Sequence, residues 1–162
     1  MNLKILAVFV FTAIGTVAGY IVMRTYRRNV SYMRAVCELI ADLKRNISYR
    51  RDGAVNILSG YTSSDKRLNG NIKEYLTYAT AKNGELTLSK GFLPQDEYRQ
   101  VVGLFSSLGA SSDDVGQLNE LKLYEDAFSA FKTTAELKAD KYGTLAVKLG
   151  FLFGLAVGIL FL

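Results

Sequence analysis

An all-α architecture, a cytoplasmic helical bundle flanked by an N-terminal and a C-terminal transmembrane helix, follows from three features of this sequence. Uncharged apolar runs lie at both ends, helix-period apolar spacing fills the stretch between them, and no extended alternating strand pattern competes. The 162 residues divide accordingly into a first span over residues 1–23, a soluble domain over 24–141 and a second span over 142–162.

The first span rests on residues 5–23, which carry no charged side chain. At about 1.5 Å of rise per residue such a run covers a hydrocarbon core of about 30 Å. A cleaved signal peptide would also explain this start, with Lys4 as its basic region and Thr16-Val17-Ala18 as its cleavage site. The apolar run continues past Ala18 and ends in Arg24, Arg27 and Arg28, which resist translocation, so an anchor is the better reading.

In residues 30–47 the apolar Met33, Val36, Cys37, Ile40, Leu43 and Ile47 recur at steps of three and four. That spacing predicts an amphipathic helix continuing from the first span. Cys37 lies on its apolar stripe and reads as a buried, inert thiol with no partner base. A break at Asp52-Gly53 precedes a short apolar segment over residues 54–58, and Thr62-Ser63-Ser64-Asp65 reads as a surface loop.

Residues 69–81 predict a helix with Ile72, Tyr75, Leu76 and Ala79 on one side, stopped at Asn83-Gly84. A hairpin through Asn83-Gly84 into Leu86-Thr87-Leu88 is disfavoured because the residues before it do not alternate. Pro94, followed by Asp96 and Glu97, predicts the next helix start, with Tyr98, Val101, Val102, Phe105 and Leu108 as its buried stripe and Gly109 as its stop. Ser111, Ser112 and Asp113 are N-cap candidates for a long last helix carrying Leu118, Leu121, Tyr124, Phe128, Phe131 and Ala135.

Nothing stops that helix before the membrane. Residues 149–162 are uncharged but reach only about 21 Å, so the second span begins near Tyr142. Lys148 then lies inside it and must snorkel toward the interface.

The net charge of +5 sits in the juxtamembrane stretch, where Arg24, Arg27, Arg28, Arg34, Lys44, Arg45, Arg50 and Arg51 face Glu38, Asp42 and Asp52. No RNA-binding signature or phosphate-cradling glycine loop accompanies it, so nucleic acid is not an expected partner. Membrane orientation and contact with anionic lipid account for the charge. Arg24, Arg27 and Arg28 follow the first span, and Lys138, Lys141 and Lys148 accompany the start of the second. The positive-inside rule places the central domain in the cytoplasm.

The chain contains no histidine and one cysteine, which excludes a Cys/His zinc site, a Ser–His–Asp triad and a Cys–His pair. Asp96-Glu97 and Asp113-Asp114 are explained as charges at helix N-termini, and Glu125-Asp126 as part of a solvated face. No catalytic residues, metal or cofactor are expected, and the chain is read as non-enzymatic.

The spans are more informative. Gly15 and Gly19 form a small-xxx-small pair in the first, and Gly150, Gly154 and Gly158 run down one face of the second. Such spacing lets helix backbones approach closely, which predicts a packing face whose partner is the first span, a second copy of the chain or another protein.

The residues as a whole resemble the stage III sporulation protein AB family of endospore-forming bacteria. The resemblance is carried by Lys141-Tyr142, Leu145, Lys148-Leu149-Gly150, Leu152, Gly154-Leu155 and Ile159-Leu160 at the C-terminus. Leu104-Phe105, Leu108-Gly109, Asp113 and Gln117 carry it in the middle, and Gly19, Tyr26-Arg27, Arg34, Leu39, Leu43 and Ile47-Ser48-Tyr49 along the first helix. Where the family has a proline after the Ile-x-Tyr stretch, this chain has Arg51-Asp52-Gly53.

The resemblance implies a domain like that of the platform proteins of type II secretion and type IV pilus systems. It also implies a place in the mother-cell membrane facing the forespore, among other stage III sporulation complex proteins, as an adaptor for a cytoplasmic ATPase. The absence of a phosphate-binding loop fits an adaptor and not a motor. The alternative reading is a membrane-anchored regulatory or ligand-binding module.

Overall fold

Helical periodicity and a few polar stops set the order of elements. The computed structural model describes residues 3–50, 53–81, 86–108 and 114–160. In these the chain forms α1 (Leu3–Arg50), α2 (Ala54–Gly60), α3 (Lys66–Ala81), α4 (Gln95–Ser107) and α5 (Asp114–Lys138), followed by a π-helical turn (Ala139–Gly143) and α6 (Thr144–Leu160). No strand occurs among the described residues. The chain divides into two compact units, one of Met1–Val30 with Thr133–Leu162 and one of Ser31–Lys132.

The Ser31–Lys132 unit is a bundle built on the second half of α1, whose Tyr32, Met33, Val36, Leu39, Ile40, Leu43 and Ile47 are buried. Every apolar position read from the sequence in this stretch is buried except Cys37, which is half-buried. Leu58 of α2, Leu68, Ile72 and Tyr75 of α3, Val101, Leu104 and Phe105 of α4, and Leu121 and Phe128 of α5 join them in the core. The Tyr75 and Phe105 rings meet at 5.4 Å between centroids, and the Tyr75 hydroxyl donates to the Leu108 carbonyl just past the end of α4. Gly103 makes room for α5: a methyl group there would lie 2.9 Å from the Tyr124 hydroxyl.

The stretch at residues 62–65 is non-helical as read, with Thr62 and Ser64 exposed, but it also builds the start of the next helix. Ser63 and Asp65 are buried. Asp65 Oδ1 accepts from the backbone N–H of Arg67 at 2.9 Å and of Leu68 at 3.4 Å, which satisfies amides that a helix start leaves open. The Asn69 side chain accepts from Ser63 N–H and donates to the Ser63 carbonyl, both at 2.8 Å. The helix therefore begins at Lys66, three residues before the start read from the sequence at residue 69.

Pro94 stands as the N-cap of α4, with Asp96 and Glu97 in the first turn. Glu97 is buried, while Tyr98 and Val102 are only partly so and Leu104 takes a core position. The segment before it is held by side chains: Glu74 accepts from Ser89 N–H at 2.8 Å and from its hydroxyl at 2.7 Å. The Tyr98 hydroxyl donates to the Leu88 carbonyl at 2.9 Å. Glu125, read as part of a solvated face, accepts from Lys44 Nζ and so ties α5 to α1.

The stop at Asn83-Gly84, the closing Gly109, the cap candidates Ser111, Ser112 and Asp113, and Arg51-Asp52 lie outside the described residues.

Candidate functional site: the glycine-packed helix pair

The other unit consists of the first part of α1 and the end of α5 with the π turn and α6. Both helical stretches are long and apolar enough to cross a membrane. Their outward faces are apolar: Phe9 is 71% and Phe153 72% exposed, which suits side chains that meet lipid and not water. The threonine hydroxyls in the first stretch are satisfied within the helix. Thr12 donates to the Val8 carbonyl and Thr16 to the Thr12 carbonyl, each at 2.8 Å, as a low-dielectric surrounding requires.

The glycines bring the two helices together. A methyl group on Gly15 would overlap the Gly150 carbonyl oxygen, and one on Gly19 would lie 2.8 Å from the Val147 Cα. On Gly154 it would lie 2.9 Å from the Thr12 Cα, and on Gly158 2.9 Å from the Val8 Cα. Val8 therefore faces Gly158, Thr12 faces Gly154, Gly15 faces Gly150 and Gly19 faces Val147, an antiparallel register in which one number falls as the other rises. Contact at this range is van der Waals contact between backbones, which requires a residue without a side chain on at least one of the two facing helices.

Above Gly19 the register continues through residues that the glycine spacing did not mark. Gly143 is buried against Met23, and the Tyr26 and Tyr142 rings stack at 6.3 Å between centroids. The π turn makes this arrangement. Ala135 is buried, and seven residues further on an unbroken α-helix would turn Tyr142 to the same side; the inserted residue puts Gly143 there and leaves Tyr142 partly exposed. A fourth glycine, seven before Gly150, was the available signal. A π turn itself leaves no trace in apolar spacing.

Arg24, Arg27, Arg28 and Lys148 all belong to this unit, and each is exposed. Lys141 lies over the Tyr142 ring, its Nζ 5.5 Å from the centroid.

The bundle unit offers one further feature, a polar cleft of about 360 Å³ lined by Asp42, Asn46, Asn56, Ile57, Gly60, Tyr61 and Thr62. Asn46 donates to the Asp42 carboxylate at 3.2 Å. Burial, and secondarily the negative charges of Glu38 and Asp42, push the Tyr61 phenol up.

A helical bundle whose chain enters and leaves through two apolar helices, themselves paired through glycines, defines a bundle protein with two candidate membrane spans. The chain belongs to the stage III sporulation protein AB family, whose sequence model it matches over residues 4–162. No curated protein and no solved structure matches it.

Proposed function

We propose that this chain is a non-enzymatic integral membrane subunit of a sporulation complex in the mother-cell membrane facing the forespore. Its central domain lies in the cytoplasm and serves a cytoplasmic ATPase of that complex as a platform-like adaptor. The observation that carries this reading is the arrangement of the anchors. The bundle's first helix is continuous with one apolar span, and its last helix runs through the π turn into the other. A domain so held has both ends on one membrane face, where it presents a surface to a soluble partner without itself supplying energy. Membership of a stage III sporulation family supports the cellular setting.

Orientation comes from Arg24, Arg27 and Arg28, with Lys148 snorkelling to the same side. Gly15, Gly19, Gly150, Gly154 and Gly158 pack the spans. The test is site-specific photocrosslinking in sporulating cells from exposed positions of the bundle such as Phe92 and Leu123. Adducts with the ATPase of the complex are expected from at least one face; a set of exposed positions around the bundle that yields none contradicts the adaptor role.

The polar cleft beside Asp42 and Tyr61 favours the second reading, a membrane-anchored module that binds a small polar ligand. It is distinguished by a ligand-dependent rise in melting temperature that Asn46→Leu abolishes.

A further inference from the structure

Counted by compact unit, the basic and acidic residues balance in one and not in the other. The Ser31–Lys132 unit carries thirteen basic and thirteen acidic residues, so the whole +5 belongs to the unit of the two spans. Within that unit Arg24, Arg27 and Arg28 lie on one helix and Lys138 and Lys141 on the other. The register that sets Met23 against Gly143 and Tyr26 against Tyr142 brings these two groups to the same level along the pair. All five are exposed. Glu136 and Asp140, the acidic residues of this unit, reduce the belt's charge without cancelling it.

We propose that this belt is a binding site for the headgroup phosphate of anionic phospholipids. Three features fit that occupant. The Tyr26–Tyr142 stack lies at the end of the apolar span, the depth that aromatic rings with one polar end prefer, so the cations beside it stand at headgroup level. Guanidinium groups on successive turns offer forked donors to phosphate oxygens, and lysines from the neighbouring helix close the other side. The π turn sets the register of this site: it turns Tyr142 out of the glycine face and onto Tyr26, with Lys141 beside it. Zwitterionic lipid has the same phosphate but carries its own ammonium, so a net-positive belt selects the anionic headgroup. The inference rests on the two helices crossing a membrane and is independent of the adaptor role.

The chain has no tryptophan, so one introduced indole is a clean reporter. Full-length Tyr142→Trp is placed in bilayers of phosphatidylcholine and phosphatidylglycerol in which one or the other lipid is brominated. Quenching of the indole by brominated phosphatidylglycerol should exceed that by brominated phosphatidylcholine, giving a relative association constant of about fivefold or more. The ratio should fall toward one when Arg24→Gln, Arg27→Gln and Lys141→Gln are combined, with helicity unchanged.

Phe9→Trp, roughly 22 Å along the helix from Arg24, should show no preference. Equal quenching by both lipids at position 142 would overturn the site, as would the same preference at position 9 or its survival in the triple variant. Should Tyr142→Trp fail to fold, Tyr26→Trp reports on the same belt.

Discussion

Gly15 and Gly150 are reciprocal partners: a methyl group placed on either would overlap the carbonyl oxygen of the other. Neither position tolerates a side chain while the helices keep this separation. The same holds less severely at Gly154 and Gly158, so the pairing is distributed over about three turns and does not depend on one contact.

The intrachain pairing is open to covalent capture. A Cβ on residue 143 would lie 3.7 Å from that of Met23, within the disulfide range of about 3.5–4.5 Å. Met23→Cys with Gly143→Cys, in a Cys37→Ser background, should oxidise to an intramolecular bond and migrate faster on non-reducing gels. Covalent dimers in place of that band would mean that the spans pair between copies. Adding Gly154→Leu, an overpacking change of about 1–3 kcal/mol, should lower the yield of the bond while leaving the bundle helical.

Asp65 caps α3, and its removal should be felt beyond its own site. Asp65→Ala leaves the Arg67 and Leu68 amides without their side-chain acceptor and strips Arg67 of a carboxylate 3.6 Å from its Nε. A loss of about 1 kcal/mol is expected, seen as a lower denaturation midpoint of the bundle, and Asp65→Asn should recover most of it. A midpoint unchanged by Asp65→Ala would show that α3 starts without this cap.

Stability should fall on the alkaline side. Burial is the first cause pushing up the Cys37 thiol and the Tyr32, Tyr61 and Tyr75 phenols. The folded chain keeps these protons beyond the ordinary values of 9.0 for the thiol and 10.0 for the phenols, where the unfolded chain releases them. The stability they contribute is therefore complete below pH 9.0 and is lost as pH rises through the raised folded values. Melting temperature should be flat from neutral pH to that point and decline above it, and Tyr32→Phe should flatten the decline. At neutral pH Cys37 should alkylate more slowly than a cysteine introduced at the exposed Ser64.

Apolar spacing made the helices legible from sequence. The face of α1 from Met33 to Ile47 and the runs that form the spans obey a period that burial imposes on any helix. The glycines were legible as a small-residue face, because only residues lacking side chains permit backbone contact, but their partner was not, since spacing along one helix carries no information about the other. Polar structure was harder to read. Ser63 and Asp65 look like loop residues in composition, yet their burial follows from hydrogen bonds that form only once α3 is in place. The pairing of Lys44 with Glu125 joins residues 81 positions apart, and a local charge pattern cannot show it. The π turn and the Tyr26–Tyr142 stack depend on a single inserted residue, which apolar spacing does not mark.

An adaptor for a cytoplasmic ATPase must have its bundle in the cytoplasm, and that is measured directly by cysteine accessibility. With Cys37 replaced by serine and a cysteine at the exposed Ser64, a membrane-impermeant thiol reagent is applied to intact and to permeabilised cells. Labelling only after permeabilisation is the expected result. Labelling of intact cells would place the bundle outside, beyond the reach of any cytoplasmic motor, and contradict the adaptor function.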